Sequence, residues 1–172
     1  MNDFVASKEI GEKYQDYIQD WFAQKEGIFL CNYGSRYYQM NKGENSFGME
    51  IKHDEHYWET GNVFIEFEAV NKVGDKFIEG GIKKKDNAWL YLIGDESNAF
   101  IFAKCQLVSI YECVCSKPQE MKEKYGIRVC EHTDKDTGQI TSRGIAIPIN
   151  VALKKNWIIK WIKFKEGEKD VQ

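Results

Sequence analysis

Glu44, Glu50 and Lys52 carry the most usable chemistry in this chain. Glu50-Ile51-Lys52 lies in a short run that reads as a strand, and alternate side chains of a strand share a face. Glu50 and Lys52 are therefore expected to point one way, with Met49 and Ile51 in the opposite layer. A carboxylate can hold a divalent cation, and an ammonium beside it can sit next to a phosphate or the water that the cation activates. Glu44, in Gly43-Glu44-Asn45, is close enough upstream to bring a second carboxylate to the same ion. The competing reading of Glu50 and Lys52 is a solvated same-side ion pair, and that of Gly-Glu-Asn is ordinary turn composition. Glu66, on the outward phase of the next strand with Phe64 and Glu68, is a candidate supporting carboxylate or a plain surface residue.

These residues need elements to hold them. Ile10, Tyr14, Tyr17, Ile18, Trp21 and Phe22 recur at three- and four-residue spacing, which predicts an amphipathic helix over Lys8–Lys25, with Ser7 as N-cap and Gly27 ending it. Ile28–Cys31 reads as a strand or connector, and Arg36–Met40, Phe47–His53 and Asn62–Ala69 as strands. Gly74, Gly80 and Gly81 among charges mark Val70–Gly81 as a loop. Ala88–Ile93 and Ala99–Ala103, split by Gly94-Asp95-Glu96-Ser97-Asn98, make a hairpin candidate. Gln106–Cys115 is open between helix and strand, and Pro118–Tyr125 is a polar helical turn. Ile127–His132 and Gly144–Ile149 read as strands with a surface turn at Asp134–Gly138, Asn150 caps a short helix over Val151–Asn156, and Trp157–Phe164 is an edge strand. The expected class is α+β: a long N-terminal helix on a mixed, mostly antiparallel sheet, with short late helices.

Composition bounds the function. At 172 residues with 42% hydrophobic and 14% aromatic residues, the chain is most simply one domain spanning residues 1–172 with a respectable core. The 24 basic and 27 acidic residues argue against a protein that coats nucleic acid non-specifically, while leaving room for one local basic face. Lys83, Lys84 and Lys85 form one basic cluster, and Lys154, Lys155, Lys160, Lys163 and Lys165 another; either could hold phosphates or be a solvated face. No apolar stretch suits a signal peptide or a membrane span, so a cytoplasmic protein without a membrane partner is expected. Five cysteines suit free thiols, although Cys113, Cys115, Cys130 and His132 could bind zinc if they converged. His53, Asp54, Glu55 and His56 could meet substrate or form a polar connector, and Tyr57 and Trp58 could stack on a base or pack under that loop. No P-loop, Rossmann fingerprint or nucleophile elbow is present.

The ordered set of Glu44, Glu50-Ile51-Lys52, Thr60–Glu66, Gly80–Ile82 with Asp86–Asp95, and Thr141–Ile149 resembles the restriction-endonuclease-like PD-(D/E)XK superfamily, in its small phage and bacterial branch. The resemblance covers roughly residues 8–160 in order. It implies a restriction-endonuclease-like core and metal-dependent hydrolysis of nucleic-acid phosphodiesters, DNA rather than RNA. Mg²⁺ or Mn²⁺ would be held by Glu44, Glu50 and the carbonyl of Ile51, with Lys52 orienting or helping to deprotonate the attacking water. The family's usual aspartate is not present; Glu44 or Asn45 stands near its place, and the spacing from Glu44 to Glu50 is short and needs a tight turn. Glu12 or Gln15 would fill the acidic position on the first helix, and Lys83, Lys84, Lys85, Lys154 and Lys155 would contact the nucleic acid. Double-strand cutting by such a site implies a homodimer or two binding events. The alternative is a catalytically silent member of the fold that binds nucleic acid or a protein.

Overall fold

The structure, a computed structural model, describes residues 3–71, 76–134 and 137–164, without the side chains of residues 3–8, 36, 40, 41 and 71. Its α+β architecture is built on two four-stranded sheets. The first has the order β1 (Met49–His53), β4 (Leu90–Gly94), β5 (Asn98–Ala103), β8 (Ile158–Lys163). β1 runs parallel to β4, and the remaining pairs are antiparallel. The second sheet is wholly antiparallel, ordered β3 (Lys76–Glu79), β2 (Asn62–Asn71), β7 (Ile140–Pro148), β6 (Arg128–Thr133).

One face of the first sheet packs on helix α1 (Asp3–Trp21). There Tyr14, Ile18 and Phe22 meet Met49, Ile51, Leu90, Leu92 and Ile101. The other face, with Tyr91, Ile93, Phe100 and Phe102, packs on Val63, Ile65, Ile145 and Ile147 of the second sheet and on Leu107 and Ile110 of α4 (Lys104–Ser116). β1 is thus an edge strand lying between a helix and a second layer.

The helices are set by local pattern. α1 begins earlier than Lys8, so Ser7 falls inside it rather than at its cap, and its last turn widens to a π-turn over Phe22–Glu26. Gly27 ends it in the left-handed region at φ 66° and donates to the Phe22 carbonyl. Arg36–Met40, expected as a strand, is part of helix α2 (Arg36–Lys42). Its aromatic run has no neighbouring strand to pair with, whereas a helix satisfies its amides locally, as in Gln39 N–H to Ser35 C=O at 3.0 Å. Gln106–Cys115 resolves as helix because Leu107, Ile110 and Val114 are buried at three- and four-residue spacing. α5 (Pro118–Tyr125) and α6 (Ile149–Lys154) follow, and a short α3 (Tyr57–Thr60) links β1 to β2. The expected loop Val70–Gly81 contains β3, which pairs with the end of β2. The single expected sheet is two, because the pairing of β1 with β4 skips β2 and β3. Among the described residues no helix is long and apolar enough to cross a membrane.

Candidate functional site

The site forms where the turn after α2 meets the edge strand β1. Asn45, not Glu44, makes the turn: its buried side chain donates to the Met49 carbonyl at 2.6 Å and accepts from the Met49 amide at 3.1 Å. Glu44 is thereby freed to reach β1. Its Oε2 accepts the Ile51 amide at 2.7 Å, and its Oε1 accepts from Gln15 Nε2 of α1 at 3.1 Å. Gln15 is an α1 residue the fold brings to this carboxylate; Glu12 lies one turn earlier on the helix and is exposed.

Glu50 and Lys52 share the face of β1 turned away from α1, as alternation requires. Lys52 Nζ is 2.7 Å from Glu50 Oε1 and 3.7 Å from Glu44 Oε1. The Glu50 side chain is 3% exposed, that of Glu44 15% and that of Lys52 42%, so two sheltered carboxylates share one ammonium that reaches the surface.

Burial pushes the Glu44 carboxyl up to about 7; Lys52 and the Ile51 amide oppose the rise and Glu50 adds to it. For Glu50 burial acts in the same upward direction, but Lys52, Lys84 and Lys104 outweigh it and hold this carboxyl below its ordinary range. Burial works against the Lys52 ammonium, yet Glu50 and Glu44 hold it above the usual lysine range. The pair is split, with Glu50 an anion and Glu44 titrating near neutrality.

Three further residues belong to this neighbourhood that sequence reasoning did not single out. Asp86, its side chain 1% exposed, holds Lys104 Nζ at 2.6 Å, and the same ammonium donates to the Lys84 carbonyl at 2.6 Å. Tyr91, paired with Glu50 across the β1–β4 ladder, buries a hydroxyl that has no hydrogen-bond partner among the described residues. Burial first, then the Glu50 charge, drives its pKa up. Asp86 and Tyr91 stand within the Asp86–Asp95 segment already matched, so a signal existed for them. Lys104 had none, because only the β4–β5 hairpin returns it to Trp89.

Other candidates lie elsewhere. Glu66 sits on the outer phase of β2 beside Gly80, while its neighbours Val63 and Ile65 face the core. His53 faces α1, its ring 5.0 Å from that of Tyr14. Tyr57 is core, donating to Asp95 at 3.2 Å, and Trp58 is exposed. The basic clusters do not form one face. Lys83 is bound to Glu68 and Glu79 by the Phe67 end of β2, whereas Lys154 and Lys155 follow β7 beyond Asn62, at the opposite end. Lys155 stands over the Tyr125 ring, Lys160 binds Glu26, and Lys84 and Lys85 are exposed; Lys165 lies outside the described residues. Cys113 and Cys115 sit on helix α4, where residues two apart diverge, so they cannot converge with Cys130 and His132 of β6 as strand neighbours would.

Among the described residues no group of three or more His, Cys, Asp or Glu side chains is placed to hold a metal ion. What the site offers a cation is two glutamates and backbone oxygen. This donor set fits Mg²⁺, which takes one or two carboxylates and keeps several waters. The fit rests on two observations: the carboxylates share one ammonium, and burial pushes Glu44 up to about 7 in spite of it. Comparisons with protein-family models, curated proteins and solved structures returned no match.

Proposed function

We propose that this protein is a metal-dependent nuclease with a restriction-endonuclease-like core that hydrolyses phosphodiester bonds in DNA. The observation that carries the reading is the convergence of Glu44 and Glu50, from a turn and an edge strand, on the single ammonium of Lys52. A long helix packed against a mixed sheet, with the pair on the sheet's other face, is consistent with that core.

Glu44, Glu50 and the Ile51 carbonyl would hold Mg²⁺ or Mn²⁺, which supplies positive charge at the scissile phosphate and makes water a better nucleophile at neutral pH. The rest falls to the chain's own groups. Lys52, held protonated by its two carboxylates, acts as a hydrogen-bond donor and fixed charge toward phosphoryl oxygens and the attacking water, and not as a base. Glu44, titrating at about 7 in the metal-free chain, must give up its proton for the ion to bind, which ties ion binding to pH near neutrality. Gln15 and the Ile51 amide fix the orientation of Glu44. The exposed Lys84 and Lys85 beside the site provide attraction for the nucleic-acid backbone.

The test is cleavage of plasmid and single-stranded DNA with Mg²⁺ or Mn²⁺, comparing the native chain with Glu50→Ala and Lys52→Ala. Metal-dependent cutting lost in both variants is expected. A native chain that cuts no DNA form and binds no divalent ion through Glu50 overturns the reading in favour of a silent binding module.

A further inference from the structure

Trp89 is 55% exposed, yet it is held firmly. Its indole N–H donates to the Phe47 carbonyl at 2.8 Å, and its ring lies 5.8 Å from that of Phe47. Gly48 makes room for it: a Cβ there would stand 2.6 Å from Trp89 Cδ1, and the glycine's φ of +76° is one that side chains rarely adopt. The Trp89 amide in turn donates to the Gly48 carbonyl at 2.8 Å. A large exposed aromatic fixed by a hydrogen bond and a dedicated glycine is organised to receive something.

Its place says what. Gly48 is two residues before Glu50, and Trp89 two before Tyr91, the residue paired with Glu50. Contact places the indole more closely: a Cβ on Gly43, the neighbour of Glu44, would stand 3.4 Å from the amide nitrogen of Ala88, the neighbour of Trp89, so the indole stands beside the turn that carries Glu44. The free charge near it is the exposed Lys84, which acts on both Glu44 and Glu50; the Lys104 amide donates to the Trp89 carbonyl, while its ammonium is held by Asp86 at 2.6 Å. A flat, exposed π-surface beside a site that carries exposed lysine charge is the arrangement that binds an unpaired base and its phosphate. A base stacked inside a duplex cannot offer its face to such a ring.

We propose that Trp89, seated on Gly48, is a stacking platform for an unpaired nucleobase next to the scissile phosphate, so that the substrate is a strand with at least one unpaired nucleotide. This rests on the nuclease reading of the same site. The Phe47 ring packs against the indole at an interplanar angle of 43°.

Binding is measured by anisotropy with labelled oligothymidylate and a blunt duplex, in Ca²⁺, with 2-aminopurine quenching as the reporter of stacking. Trp89→Leu keeps apolar bulk without a π-face, and Trp89→Phe keeps the face. Expected is a loss of about 5- to 150-fold in oligothymidylate affinity for Trp89→Leu, with quenching abolished, duplex binding unchanged and both largely retained in Trp89→Phe. Photo-crosslinking of a 5-iododeoxyuridine oligonucleotide to the native chain, read by mass spectrometry, needs no variant and should mark Trp89 or Phe47. Adducts only elsewhere, as at the exposed Trp58, an equal loss on duplex, or no single-strand binding overturns the proposal, the last pointing to a protein partner over the indole. Crosslinking at Trp89 without cleavage of any DNA would sink the nuclease reading and leave the platform standing. Cleavage unaffected by Trp89→Leu would do the reverse.

Discussion

The Glu44 carboxylate accepts the amide of Ile51 at 2.7 Å, at the residue between Glu50 and Lys52. Because β1 is an edge strand, the Ile51 amide is turned away from β4 and would otherwise face open space. Glu44 caps that edge and is fixed by it, so a turn residue is brought within 3.7 Å of Lys52. An extended residue sends its N–H and C=O to the same side, so the Ile51 carbonyl leaves the strand on the side where Glu44 sits. One hydrogen bond thus gathers the three oxygen donors that the proposed metal site requires.

Glu44→Gln should separate stability from ion binding. The folded carboxyl titrates at about 7 against an ordinary 4.5, so its native state favours the protonated form. The stability this gives is present below about 4.5 and is lost as pH rises through 7. Glutamine keeps an acceptor for Ile51 without the charge. Urea unfolding should therefore find the variant more stable than the native chain by about 1–2 kcal/mol at pH 8 and little different at pH 5. Divalent-ion affinity should fall in the variant at every pH. In the native chain, titration calorimetry should show affinity rising about tenfold per pH unit up to 7 and then levelling, since only the deprotonated carboxyl binds. A flat profile would break the link between Glu44 and the ion.

Alternation along β1 was legible in the sequence because a strand has a fixed period, and it put Glu50 and Lys52 together regardless of which strand lay alongside. The β4–β5 hairpin was legible for the same local reason, with turn chemistry between two apolar runs. The parallel pairing of β1 with β4 was not, because it crosses β2 and β3 and rests on contacts far apart in the chain. With it went the placement of Tyr91 against Glu50, which that pairing sets. α2 was misread because exposed tyrosines mimic a strand composition whose real determinant is the absence of a pairing partner.

Lys52→Met should leave two sheltered carboxylates facing each other. The cost is that of stripping a counter-charge from a buried pair, lessened by the partial exposure of Lys52, and about 1–3 kcal/mol is expected at pH 8. Both glutamates should then titrate higher, so the loss should shrink toward pH 5. Cleavage should fall by about 10²–10³-fold. Unfolding curves at the two pH values and a single-turnover assay check these separately. A pH-independent loss would place the contribution of Lys52 in packing.

Asp86→Ala should be more damaging than its place in a loop suggests. It removes the 2.6 Å partner of Lys104, leaves that ammonium sheltered with only the Lys84 carbonyl, and takes away the acceptor of the Ala88 amide at 3.1 Å. Breaking a buried pair on one side costs about 3–5 kcal/mol. The double variant Asp86→Ala with Lys104→Met should recover part of this, since no uncompensated charge remains. Denaturant midpoints of the two single variants and the double close the cycle, and additivity would rule out a direct coupling.

Gly81→Ala tests how the turn leading to Lys84 is docked. Gly81 opens a short 3₁₀ turn over Gly81–Lys83 at φ +47°, and a Cβ there would come within 1.9 Å of the Glu66 carbonyl oxygen on β2. The obstacle is backbone, so it cannot swing aside. Ile82 anchors the same turn in the core at 1% exposure, which prevents the turn from simply lifting away. The variant should lose about 3 kcal/mol or more, or fail to accumulate in soluble form. Because Lys84 follows directly and lends its charge to Glu50, any folded remnant should also bind divalent ions with altered affinity. Gly11→Ala, inside helix α1 where a Cβ meets nothing within 4 Å, is the control and should melt slightly above the native chain, since alanine is favoured there by about 0.5–1 kcal/mol. Equal melting of the two variants would mean that this turn is not held against β2 as described.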